Sequence, residues 1–289
     1  MTKHPTVETF LHAGLSFAAI AATLLVMPAP SAAMQTFALA LGVALIGLPH
    51  GALDPLLARR AGLMSDWRAV ILFHAAYLAT VGLVLAFWFT APVLALVIFL
   101  IYSAHHFAGD WLDKPFAQRL AIGASVLSLP AMFHVSAVSD IYVLLSGEAA
   151  RQIAQAQLWL APLRLLIISG SIIGFVWQKQ PWDALEIAIL LIGALFLPPL
   201  IFFLIYFCAL HSPRHFLAIW RASANRRQAA RIAGFYTVAS LLMALAAILA
   251  FGPADEMIAS MQKAVFIGLA ALTVPHMVLA IILEGRPRD

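Results

Sequence analysis

Residues 184–220 read ALEIAILLIGALFLPPLIFFLIYFCALHSPRHFLAIW. The apolar character outlasts the roughly 20 residues that one helix needs to cross a bilayer. Pro198-Pro199 interrupts it, and proline ends a helix by removing a donor and crowding the preceding turn. The stretch therefore reads as two helices, 184–197 and 200–220, reversing at the double proline. Outward from it lie further apolar runs at 10–27, 34–48, 69–89, 92–107, 117–138, 160–177, 232–251 and 265–283. Only helices and closed barrels satisfy their backbone in lipid, and the alternating ten-residue pattern of a barrel is absent.

Composition agrees. Hydrophobic residues make up 63% of the 289 residues and charged residues 10%, against about 25% charged in a soluble domain. So few polar groups cannot cover a surface in water, which excludes a soluble enzyme and a disordered chain. One cysteine, Cys208, excludes an internal disulfide and a cysteine-based zinc site. The net charge of +4 reports topology, with no nucleic-acid partner implied. With the split at Pro198-Pro199 there are ten spans. Lys3, Arg59, Arg60, Arg68, Lys114, Arg119, Lys179, Arg221, Arg226, Arg227, Arg231, Arg286 and Arg288 then fall on one side. Arg151, Arg164 and Lys263 fall on the other. The positive-inside rule makes the first side, with both termini, cytoplasmic. The expectation is an all-α polytopic membrane bundle of about ten spans (eight to ten) in the plasma membrane. It forms one domain over 1–289, with 1–33 an extra N-terminal span and loop and 34–285 the motif-bearing bundle. The length of the 10–27 run and Glu8 before it count against a cleaved secretory signal.

Ten histidines stand out in a chain with little else polar inside its spans, where ionisable groups are costly and point to function. The motifs are Pro49-His50-Gly-Ala-Leu-Asp54, Ser103-Ala-His105-His106-Phe-Ala-Gly-Asp110, His211-Ser-Pro213-Arg-His215 and Pro275-His276-Met277. At 1.5 Å per residue, these histidines lie about 16–24 Å from the outer ends of their spans, in one depth band. His211 and His215 share a helical face at chelating spacing. Asp54 and Asp110 each follow a histidine by four residues, placed to accept its second ring N–H and fix its tautomer. His276 lacks such an acid and reads as a supporting residue or an extra ligand. His105 points about 100° away from His106 on a helix, so His106 is the expected ligand of that pair. His4, His12, His74 and His134 read as ordinary packing histidines. A histidine set without cysteine suits Fe(II), Cu, Ni or Zn. Open positions on such an ion at membrane depth suit oxygen chemistry on a lipid-soluble substrate.

The ordered set of four motifs, spanning about residues 47–277, resembles the Brp/Blh family of membrane-integral β-carotene 15,15′-dioxygenases found beside microbial rhodopsins. The resemblance implies Fe(II), O2 and central cleavage of β-carotene into two retinal molecules, with the product passed to a rhodopsin. By that similarity the catalytic and metal-binding residues are His50, His106, His211 and His215, with Asp54, Asp110, His276 and His105 behind them. The first span lies outside the resemblance and adds nothing to it.

Three rivals are weaker. A di-iron hydroxylase or desaturase normally needs about eight histidines; six are inside here, counting His105. A haem carrier needs facing histidine pairs near both membrane sides, and a metal permease needs acids along its path, where only Asp54, Asp110 and Glu186 stand. A retinal-binding pump needs a lysine in mid-helix, whereas Lys3, Lys114, Lys179 and Lys263 lie at span edges or in loops.

Overall fold

The computed structural model describes residues 5–25 and 30–284. Lys3, His4, Arg286 and Arg288 lie outside them. Helices alone form the regular structure of the described residues. We number them α1 Val7–Leu25, α2 Ala32–Arg60, α3 Trp67–Thr90, α4 Pro92–Trp111 and α5 Phe116–Phe133. There follow α6 Val135–Ser146, α7 Glu148–Trp159, α8 Ala161–Trp177, α9 Pro181–Phe196, α10 Pro199–Arg221, α11 Arg226–Ala250 and α12 Met257–Leu283.

Eight of these, α1 to α5 and α10 to α12, are long and apolar enough to cross a membrane. The pair α7–α8, bent by 49°, makes a ninth if counted as one span. This lies within the expected range, below the preferred ten. The expected break at Pro198-Pro199 is present: Leu197 is extended (φ −96°, ψ 142°) and the chain resumes as helix at Pro199, because a residue before proline is driven out of the helical region. The helix before it, α9, has 16 residues. At about 24 Å it is shorter than a hydrocarbon core of about 30 Å. The 117–138 run also divides, at His134, whose φ of −133° ends α5.

Lipid-facing character is plain in α3 and α11. Leu72, Leu83 and Leu249 are 70% exposed and Phe89 is 78% exposed, a surface that only a bilayer would solvate. Trp67, Trp159 and Trp177 stand exposed at helix ends, where amphipathic rings favour the headgroup level. The chain is a multi-pass membrane protein.

The described chain forms two compact units. One comprises residues up to 39 with 96–214; the other comprises 40–95 with the residues from 215 onward. In the first, α1 packs on α9 and on the Pro199–His211 part of α10, mainly around Tyr206–His211, and α5 packs on α8 and α9. Gly123 lets α5 lie against α4: a Cβ there would stand 2.7 Å from the Ala108 nitrogen and overlap the Ala104 carbonyl. The α4–α5 loop is pinned by Lys114, which reaches Asp183 (2.7 Å) and Gln180 (2.9 Å) at the start of α9. Burial works against the charge of Lys114, but its hydrogen bonds and attraction to Asp183 and Asp113 outweigh it, so its pKa lies above the usual value. In the second unit α3 pairs with α12. Leu53, Leu56, Ala229 and Ala233 form a small core between α2 and α11, and Arg60 donates to Ser223 (2.8 Å).

Candidate metal centre

Two histidine-bearing helices are wound abnormally just before their motifs. Val43–Gly47 in α2 and Tyr206–His211 in α10 are π turns. Each precedes a proline, Pro49 or Pro213, whose ring would collide with the carbonyl four residues earlier. The wider turn moves that carbonyl, on Leu45 or Ala209, aside and lets the helix continue. The chain thus keeps His50 and His211 on ordered backbone despite the prolines.

In the first unit the trio is the half-buried His106 with the buried Asp110 and His211. His211 and the Asp110 carboxylate are 0% exposed, with Nδ1 3.2 Å from both carboxylate oxygens. A carboxylate has no hydrogen to give, so Nδ1 carries it and Nε2 presents a lone pair. That Nε2 lies 3.1 Å from His106 Nε2. Two imidazole nitrogens bound at about 2.0–2.1 Å to one ion stand about 2.8–3.4 Å apart, between right-angled and tetrahedral geometry. The spacing and the prepared lone pair fit a metal ion. Tyr206 donates its OH to Asp110 Oδ2 (2.6 Å). Arg214 bonds the Asp110 carbonyl (2.9 Å) and Glu186 Oε1 (2.6 Å). Phe107 and Phe207 flank the His211 ring at 4.9 and 5.4 Å, and Phe203 stacks on Phe207 at 5.3 Å.

In the second unit His50 donates Nδ1–H to the Gly47 carbonyl (2.5 Å), which by the same logic puts the ring lone pair on Nε2. His276 donates Nδ1–H to Asp54 Oδ1 (2.7 Å), and Tyr77 donates to Asp54 Oδ2 (3.1 Å). The His50 ring stands edge-on to His276 at 5.5 Å and tilted to His215 at 6.3 Å.

The expected pairing of acids with histidines is therefore corrected. Asp54 was expected to serve His50, and Asp110 to serve His106. Asp54 instead accepts from His276 and Asp110 from His211, each on a distant helix. The reason is local. The helix ends at Gly51 and restarts at Asp54, and Gly109–Trp111 tightens to a 3-10 turn, so the spacing of four residues is not one turn of a continuous helix. His276, thought to lack an acid, has one. His105 is exposed beside Phe116, and His106 is the neighbour that meets His211. Among the histidines read as ordinary, His74 bonds Tyr236 (2.5 Å), while His12 is buried at 2% exposure against Tyr206.

Tyr206, Tyr77 and Arg214 were not singled out from sequence. Arg214 and Glu186 carried the usable signal: a charged residue inside a span requires a partner.

The family model described as beta-carotene 15,15′-dioxygenase matches residues 41–284. A beta-carotene 15,15′-dioxygenase of uncultured marine bacterium 66A03 is 31% identical over 253 residues, covering 82% of this chain and 90% of that protein. No solved structure matches.

Proposed function

The chain belongs to the beta-carotene 15,15′-dioxygenase family, and from that premise we propose that it cleaves β-carotene at its central double bond with O2, giving two molecules of retinal. One O2 supplies one oxygen atom to each carbon of the severed bond, so no further reductant is needed. The cofactor is Fe(II), held by His50, His106, His211 and His215. When bound, Fe(II) supplies O2 activation at its open coordination positions.

The observation that carries this reading is the paired preparation of the rings. Asp110 holds the proton on His211 Nδ1, and Asp54 does so on His276, leaving Nε2 lone pairs for a cation. The same two carboxylates offset the charge of an ion held by neutral ligands in low dielectric. Phe107, Phe203 and Phe207 give the His211 surroundings an apolar aromatic wall, suited to a polyene without polar handles. Substrate orientation then rests on shape.

The carboxylate on His276 favours a second reading of that residue. It is prepared as His211 is, and it acts as a fifth nitrogen donor. The motif-bearing bundle over 34–285 works as one transmembrane domain in the plasma membrane. Both termini are cytoplasmic, by the distribution of basic residues, and retinal passes to a rhodopsin.

Expression in a β-carotene-producing bacterium tests the reaction. The expected result is loss of orange colour and accumulation of retinal, with about one iron per purified chain. Persistent β-carotene with inserted protein, or only asymmetric apocarotenals, refutes central cleavage.

A further inference from the structure

Helix α1, residues 7–25, lies outside the region that the family model matches, 41–284. An anchoring span has no need of buried polar groups, which cost free energy in an apolar interior. Yet Glu8, Thr9, His12 and Ser16 are all 2–3% exposed, while Phe10, Leu15, Phe17 and Leu24 on the same helix are more than half exposed. The polar face is turned into the protein, and what it touches explains why.

Thr9 donates its hydroxyl to Glu186 Oε1 at 2.5 Å. The same oxygen accepts from Arg214 Nη2 at 2.6 Å, and Arg214 Nη1 donates to the Asp110 carbonyl at 2.9 Å. That carbonyl lies in the short 3-10 turn ending α4, where helix ends leave acceptors in need of outside partners. A second route starts at His12, whose ring meets Tyr206 edge-on at 6.5 Å. The Tyr206 hydroxyl donates to Asp110 Oδ2 at 2.6 Å. One route grips the Asp110 backbone and the other its carboxylate. Asp110 in turn sets the ring of His211. Every residue named here belongs to one compact unit.

We infer that helix α1 is a positioning element of the histidine centre: Thr9, through Glu186 and Arg214, and His12, through Tyr206, hold Asp110 so that its carboxylate fixes the orientation and tautomer of His211. Removing the Thr9 donor leaves Arg214 as the sole strong partner of Glu186 Oε1 in this chain of contacts. The guanidinium then follows the carboxylate, and its hold on the Asp110 carbonyl slackens. Thr9 and His12 are positioning residues, acting on the metal only through others. The consequence for metal affinity rests on the proposal that His211 is a ligand; the consequence for the His211 ring does not.

The test uses the full chain, 15N-labelled at histidine, in detergent. The variants are Thr9→Val, which keeps shape and loses the donor, Thr9→Ser, which restores it, and His12→Phe on the second route. In metal-free protein the His211 imidazole signals, identified by their loss in His211→Ala, report its tautomer. In Thr9→Val and His12→Phe they shift towards a mixture of tautomers, and Thr9→Ser returns them to the native position. Fe(II) affinity in Thr9→Val falls about threefold to tenfold, less than the 10–100-fold typical for a direct partner of a ligand. A lowered Tm with native His211 signals and native Fe(II) affinity in both Thr9→Val and His12→Phe overturns the inference, since a merely structural helix behaves so. If the native chain binds no Fe(II), the proposed function fails. The His211 signals of the metal-free variants then decide the role of α1 by themselves: shifted signals uphold it and unmoved signals overturn it.

Discussion

Replacing Asp110 by asparagine isolates what the carboxylate does. The side chain keeps its shape but exchanges one acceptor oxygen for an NH2 donor and loses its charge. Among the donors facing the Asp110 carboxylate are His211 Nδ1–H, at 3.2 Å from both oxygens, and the Tyr206 hydroxyl, at 2.6 Å from Oδ2. Asparagine has a single acceptor oxygen for these two demands. If Tyr206 takes it, the NH2 confronts His211, whose Nδ1 must then become an acceptor. The proton moves to Nε2 and removes the lone pair aimed towards His106. Hydrogen bonds to charged groups contribute about 1.5–3 kcal/mol, and each 1.4 kcal/mol is a factor of ten in binding. Fe(II) affinity in Asp110→Asn should fall about 10–100-fold, the range seen when such partners are lost. Tyr206→Phe, which keeps the carboxylate, should cost less, about twofold to tenfold. Anaerobic competition against a chromophoric chelator measures both. Affinity within twofold of native in a folded Asp110→Asn protein would refute the reasoning.

Three further outcomes are expected. His276→Ala should lose most of its iron and Asp54→Asn should weaken binding about 10–100-fold; near-stoichiometric iron in His276→Ala with reduced turnover would return that residue to a supporting role. Lys114 has a pKa raised by its carboxylate partners, so its stabilisation is fully present below the unfolded value of about 10.4 and is lost as pH rises through the higher folded value. Thermal midpoints should therefore fall at strongly alkaline pH in the native protein, whereas Lys114→Met should lack that limb and be about 3–5 kcal/mol less stable at neutral pH, with the buried Asp183 deprived of its lysine partner. A reporter fused after Arg227 should read cytoplasmic, as should one after Arg60; an external reading at Arg227 alone would place an odd number of crossings between the two positions and sink the proposed orientation.

Membrane residence, the helical class and the candidate histidine motifs were legible in the residues themselves. Apolar runs of spanning length admit few structures once the backbone must satisfy itself in lipid, and Pro198-Pro199 breaks a helix whatever surrounds it. Histidines that intrude on such runs are conspicuous because polarity there is expensive. The division of roles was not legible. His50 and Asp54 share a local motif, as do His106 and Asp110, and helical spacing joins each pair on paper. The structure ends the helix between them and gives each acid to a histidine more than a hundred residues away, His276 to Asp54 and His211 to Asp110. Likewise His12 looked like filler in an anchoring span until packing placed it against Tyr206. Chain composition and periodicity set which solvent each helix meets, since those are properties of single segments. A hydrogen bond between segments depends on where two helices end and how they cross, and that is decided only when the whole chain packs.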